Sequence, residues 1–230
     1  MNYTDKNITL GKVVAGLPQA ADIFEEHGID FCCGGHRLLA QVIEEQGIDK
    51  NSLYESLQKA DDERKSSYQN QGDDFENMSP VALSAYIDDK HHSYLREALP
   101  EASELLNTIL RVHGNSHREL FHVYKLFGQL KTDLEQHLLK EETLVFPSYG
   151  QTHSDINETR VVIKELMEEH DAAGDILKEL RRITNDYNIP DDVCGTFERT
   201  YVKLAEIEKD LHRHIHLENN ILFLEKQNNQ

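Results

Sequence analysis

Two ten-residue stretches of this chain obey one rule. Residues 137–146 read HLLKEETLVF and residues 214–223 read HIHLENNILF. Both are H-x-x-x-E-x-x, then two apolar residues and Phe, and they lie 77 residues apart. Another histidine stands upstream of each: His92 precedes His137 by 45 residues, and His170 precedes His214 by 44. All four fall in long segments of helical periodicity, so the pattern reads as two helix pairs in tandem. Four long helices with short connections predict an antiparallel four-helix bundle. Residues at i and i+4 share a helix face, so each His-x-x-x-Glu aims an imidazole and a carboxylate in one direction.

A single pair of this kind is ordinarily a surface ion pair, worth about 0.2–0.5 kcal/mol. Two copies, each with its own upstream histidine and the same trailing apolar–Phe run, are hard to obtain as solvated faces. Four imidazoles and two carboxylates buried without partners would be costly, and metal ions satisfy all six. These donors suit iron or manganese, and His and Glu on facing helices are a known way for a bundle core to hold two metals. The candidate ligands are His92, His137, Glu141, His170, His214 and Glu218. If both carboxylates bridge, each ion receives two nitrogens and two oxygens. An oxo or hydroxo bridge adds a fifth ligand, which leaves an octahedral ion one open position for O2, NO or ion departure. His91 adjoins His92 but points about 100° away from it on a helix, so only one of the two can face the centre, and the match to the second half and the resemblance given below favour His92. His212 and His216 face away from His214. These three, with His113, His117, His122 and His153, are read as non-ligands.

Ahead of the bundle lies a different block. Residues 18–28 (PQAADIFEEHG), 36–47 (HRLLAQVIEEQG) and 51–65 (NSLYESLQKADDERK) predict three short helices, the first two stopped by glycine. The polar run SSYQNQGDDFENM reads as a linker. The domain expectation is therefore a small helical domain over 1–65, a linker over 66–78 and a bundle over 79–230. The bundle helices are predicted from Ser79 to about Gly114 with a kink or break at Pro100, then over about 116–146, 157–187 and 191–224. No segment reads as a strand.

The first block carries DFCCGGH, with Cys32 and Cys33 adjacent. Thiols just ahead of a helix beginning near Gly35 or His36 would feel its positive end, which lowers a thiol pKa. The pair is read as accessory thiols able to pass iron, accept NO or cycle redox state; the alternative is a turn that simply uses small residues. Cys194 is read as structural. Three cysteines do not make a disulfide framework. With 42 acidic and 24 basic residues the formal charge is −18, which repels nucleic acid and anionic membrane. No apolar run approaches the roughly 18–20 residues of a membrane span, and MNYTDKNITL lacks the pattern of a signal peptide. A soluble cytoplasmic protein with reduced thiols is expected.

His92, HLLKE, EEHDAAG and HIHLENN resemble the hemerythrin-like di-iron bundle. With DFCCGG in front, essentially the whole chain resembles the iron–sulfur cluster repair di-iron proteins of the ScdA and YtfE type. That resemblance implies an all-α fold, with a small CCGG-bearing helical domain followed by a hemerythrin-like four-helix bundle. It implies two non-haem iron ions, oxo-bridged, held by the six residues named above with both glutamates bridging. It implies restoration of iron–sulfur clusters damaged by nitric oxide or oxidants, a cytoplasmic location and a homodimer; the chain is read as supplying labile iron to the damaged proteins rather than as a conventional enzyme. The alternatives are a di-iron nitric oxide reductase or an O2/NO-binding sensor module. Oxygen-carrying relatives have a second histidine one turn past the third-helix His; here Gly174 stands there, and Leu166 one turn before. One nitrogen donor fewer implies a more open site and more labile iron. Glu169 and Glu142 adjoin ligands, and Glu169 is the candidate for a supporting role that guides cations or protons.

Overall fold

The computed structural model describes residues 1–66, 74–75, 77–150 and 156–228. Among these residues the fold is all-α, with one isolated β-bridge between Thr9 and Leu38. The chain divides into two compact units, Met1–Leu83 with His212–Gln230, and Ser84–Leu211. The linker expected over 66–78 falls largely outside the described residues, as does His153.

The first unit contains α1 (Leu10–Gly16), α2 (Ala20–Glu26), α3 (Leu39–Gln46) and α4 (Lys50–Ser66). Periodicity alone did not reveal α1. It starts where the Thr9 side chain accepts the Lys12 N–H, an N-cap. After α2 and α3 the chain turns at Gly28 and Gly47, both with φ near +65°, a region where a Cβ is strained. Leu10, Phe24, Phe31, Leu39 and Leu53 pack together in this unit's core, and Ile215 joins them.

A short helix, α5 (Pro80–Ile87), precedes α6 (Ser93–His113), α7 (Leu120–Lys140), α8 (Phe146–Gly150), α9 (Ile156–Ile183), α10 (Gly195–Leu217) and α11 (Phe223–Asn228). The second unit is a four-helix bundle of α6, α7, α9 and the first part of α10. Its core takes Leu99 and Leu106 from α6, Phe127 and Leu130 from α7, Leu177 from α9, and Phe197 and Tyr201 from α10. These apolar positions recur at helical spacing, and that is what buries one stripe of each helix. No helix among the described residues is long and apolar enough to cross a membrane.

The break expected at Pro100 does not occur, and α6 runs through it. Pro100 lies on the exposed face, where water can take the carbonyl bond that its missing N–H gives up. Helix α8 likewise continues through Pro147. The α-helical hydrogen bonding is interrupted instead by π-turns at Asp88–His92, Glu141–Val145 and Glu218–Leu222. At each, the next residue donates its N–H five residues back: Ser93 to Asp88, Phe146 to Glu141, Phe223 to Glu218. Such turns are frequent at functional sites, and each of these contains a candidate ligand.

Core and surface should respond differently to truncation. Leu106→Ala removes a side chain that is 1% exposed and should cost about 2–5 kcal/mol of unfolding free energy. Val112→Ala, at 68% exposure, should stay within about 0.5 kcal/mol. Urea unfolding followed by circular dichroism checks both.

Candidate metal centre

Glu141 is the focus of the second unit. It opens a π-turn at the end of α7, is fully buried, and faces one imidazole with each oxygen. His92 Nε2 lies 3.3 Å from Glu141 Oε2, and His137 Nε2 lies 3.3 Å from Glu141 Oε1. His170, from α9, brings its Nε2 to 2.9 Å from that of His137. Donor atoms of His137, Glu141 and His170 all lie within 4.8 Å of one another. All three histidines are almost wholly buried. The first unit repeats the motif: His214 Nε2 lies 3.0 Å from Glu218 Oε1, both buried, with Glu218 again opening a π-turn.

The other nitrogen of each ring explains what the first is for. His92 Nδ1 is 2.8 Å from Glu142 Oε1, and His137 Nδ1 is 2.9 Å from Glu169 Oε2. A carboxylate only accepts, so these contacts assign the proton to Nδ1 and leave the Nε2 lone pair directed inward. Two lone pairs thus face the two oxygens of one buried carboxylate. Acceptor against acceptor in a dry interior is unfavourable unless a cation sits among them. The donor set fits a transition-metal ion such as iron.

Cations hold the outer carboxylates in turn. Arg96 pairs with Glu142, and Lys140 with Glu169. The hydrogen bond from His137, with Lys140 adding to it, holds the Glu169 pKa down to about 2 against the opposing effect of burial. Glu169 and Glu142 therefore orient the imidazoles of His137 and His92. The Phe of the repeated motif also has a role here: the Phe146 ring stacks on His92 at 5.4 Å. A cavity of about 120 Å³ between α7 and α9 reaches His137 and His170, with Leu134, Glu169, Ala173 and Ile176 among its walls. It is large enough for a diatomic molecule.

The remaining histidines have other contacts. His91 Nδ1 meets Asp210 at 2.9 Å, His212 meets Glu25 at 3.3 Å, and His117 meets Glu119 at 3.1 Å. His216 is buried beside Phe31, and burial lowers its pKa to about 4.

The cysteines depart from the sequence expectation. Helix α3 begins only at Leu39, too far on for its positive end to act on the thiols. Cys32 is buried, with Sγ 3.9 Å from Cys33 Sγ and 3.4 Å from Asp30 Oδ1. Its hydrogen bond with Cys33, burial and the Asp30 charge push its pKa well above the usual cysteine range rather than below it. Cys194, read as structural, is exposed just ahead of α10. His113 Nε2 stands 3.2 Å from its sulfur, and this contact, aided by backbone N–H groups, lowers the thiol pKa to about 7.

Comparison with known proteins agrees with this geometry. The family model described as "Hemerythrin HHE cation binding domain" matches residues 84–224, and a "Domain of Unknown function (DUF542)" matches residues 6–61. The chain is 32% identical to the iron-sulfur cluster repair protein ScdA of Staphylococcus epidermidis over 222 residues, which cover 95% of this chain and 97% of that protein. It is 30% identical to the iron-sulfur cluster repair protein YtfE of Yersinia pseudotuberculosis over 223 residues, 97% of each chain. A buried His/Glu group with inward lone pairs, in a bundle that matches a cation-binding model and behind a matching N-terminal domain, leads to one assignment: this chain belongs to the hemerythrin HHE cation-binding family, among the iron–sulfur cluster repair proteins of the ScdA and YtfE type.

Proposed function

We propose that His92, His137, Glu141, His170, His214 and Glu218 hold two iron ions, and that the chain supplies labile iron for rebuilding iron–sulfur clusters damaged by nitric oxide or oxidants in the cytoplasm. The observation that carries this reading is Glu141, which has a buried imidazole Nε2 against each oxygen, an arrangement that supports a carboxylate shared between two ions. The same His-x-x-x-Glu at the head of a π-turn recurs at His214 and Glu218, which supports a second bridge. The relatives named above are called iron–sulfur cluster repair proteins.

In this account iron is cargo. When bound, it supplies an ion that a damaged cluster can take up. The protein's own residues decide how firmly it is held. Glu142 and Glu169 keep Nδ1 of His92 and His137 protonated and their lone pairs turned inward. Arg96 and Lys140 hold those carboxylates in place. Gly174 offers no donor one turn beyond His170 in α9, so the site has one imidazole fewer than an oxygen carrier, which favours release. Cys32 and Cys33 are accessory thiols for the incoming or outgoing ion. A second reading, turnover of nitric oxide, is favoured by the cavity that reaches His137 and His170.

An enzyme inactivated by nitric oxide at its iron–sulfur cluster should regain activity when incubated anaerobically with the iron-loaded protein. His137→Ala and Glu218→Gln should abolish that recovery. A Cys32→Ala, Cys33→Ala double variant should keep its iron yet repair more slowly, and loss of its iron would refute the accessory assignment. No recovery at any iron loading contradicts iron donation, and nitrous oxide formed over many turnovers selects the second reading. The outer carboxylates give an independent check. Glu169→Ala should weaken iron binding about 10- to 100-fold in competition with a chelator, the usual penalty for losing a carboxylate that orients a ligand histidine. Unchanged affinity would mean that Glu169 only decorates the surface.

A further inference from the structure

Asn220 and the glycines of DFCCGGH are left over from the metal chemistry, and they fit one another. Asn220 sits in the π-turn Glu218–Leu222, two residues past the candidate ligand Glu218. Its side-chain Nδ2 donates to the carbonyl of Cys32 at 2.9 Å and to that of Phe31 at 3.3 Å. A Cβ at Gly35 would stand 2.0 Å from Asn220 Oδ1, and one at Gly11 would stand 2.7 Å from it. Real Cβ contacts are not that close, so both positions are glycine where the asparagine is seated. Gly11 N–H donates to the Gly35 carbonyl at 2.8 Å, which ties the two glycines together. Asp30 Oδ1 braces the other side of the loop by accepting the N–H groups of Cys33 and Gly34, each at 3.1 Å. The Asn220 side chain therefore ties the loop that carries both thiols to the turn that begins with Glu218, and lies 3.3 Å from His216 Nδ1 one turn earlier. Nearby, Arg213 pairs with Asp22 at 2.7 Å, and the Phe31 ring packs edge-on to His216 at 5.8 Å.

We propose that Asn220 is a positioning residue that couples occupancy of the metal centre to the accessibility of Cys32 and Cys33. The proposal rests on the reading of Glu218 as a metal ligand. A bound ion fixes Glu218 and with it the π-turn. The fixed turn keeps Asn220 on the Phe31 and Cys32 carbonyls, and the loop stays closed with Cys32 buried. When the ion leaves, the turn is free to move, the two hydrogen bonds open together, and the thiols come within reach of an incoming ion or electrophile. The turn is the element that both sites bias, and this is the physical requirement for coupling. The arrangement would order the events of repair: thiols closed while iron is held, open once it has gone.

The test is the rate of alkylation by iodoacetamide, read by peptide mass spectrometry separately for the Cys32–Cys33 peptide and for Cys194. Full-length protein is compared metal-free and loaded with Fe(II) under anaerobic conditions, with iron content measured alongside. Wild type should show the buried Cys32 protected by about tenfold on loading, the scale set by two amide–carbonyl hydrogen bonds, with the half-buried Cys33 protected less. The exposed Cys194 should be unaffected. Asn220→Asp, which puts a carboxylate against two carbonyls, should bind iron and yet alkylate at the unprotected rate whether loaded or not. Gly35→Ala approaches from the loop side, displacing Asn220 without altering it, and should behave the same way. Equal rates in loaded and metal-free wild type overturn the coupling, whatever the variants do. Protection that survives in both variants assigns it to something other than Asn220, such as direct ligation by the thiols. A wild type that takes up no iron overturns the underlying metal reading, and the proposal with it.

Discussion

Two imidazole lone pairs pointed at the two oxygens of one buried carboxylate form the interaction on which the rest of this structure depends. His92 and His137 meet Glu141 in this way, and none of the three is more than 2% exposed. Left as acceptors facing acceptors in a low-dielectric interior, they would repel one another and forgo hydration. Much of the surrounding architecture serves to hold them there. Glu142 and Glu169 fix the ring tautomers, Arg96 and Lys140 fix those carboxylates, and Phe146 stacks against the His92 ring. A fold that maintains such an arrangement is a fold built around a cation.

The bundle supplies the rigidity this requires. Ligands carried on packed helices are placed more precisely than ligands on loops, and the apolar stripe of the second unit continues up to the donors: Leu130, Leu134 and His137 follow one another along one face of α7. The π-turns then alter the helix path where ligands lie, with Glu141 and Glu218 each at the head of one. Geometry and affinity are separable in such an arrangement, because the number of donors and the orienting carboxylates set affinity apart from the scaffold. The same separation makes the thiol loop interpretable. Cys32 is buried beside Cys33 and Asp30, which with burial push its pKa up, a resting state that opening would have to change.

Features with a period or a fixed short spacing were legible in the sequence. The helical repeats announced the bundle, and i, i+4 placed His137 with Glu141 and His214 with Glu218. Glycines at 28 and 47 marked helix ends. What stayed hidden depends on which surfaces meet. Glu142 looks like any of 42 acidic residues, and Glu169 stands out only for adjoining His170, until the neighbouring helix brings a histidine to each. A π-turn has no sequence period, so the three irregular turns could not be read, whereas Pro100 was read as a kink or break because its tolerance depends on facing water. The Cys32 pKa was expected to fall because a helix was placed too early; with α3 starting at Leu39, burial and the neighbouring acid and thiol decide it. The hydrogen bond from Asn220 to Cys32 spans 188 residues, a contact no local pattern signals, although the glycines that accommodate it were in plain view.

Iron stoichiometry with coordination tests the central claim most directly. Metal-free protein titrated anaerobically with Fe(II) and then examined by X-ray absorption should saturate at two irons per chain, with imidazole and carboxylate ligation and a short iron–iron vector, the arrangement expected when His and Glu on facing helices hold a metal pair. Saturation at one iron, or iron bound only through surface oxygens with no imidazole contribution, would contradict the account.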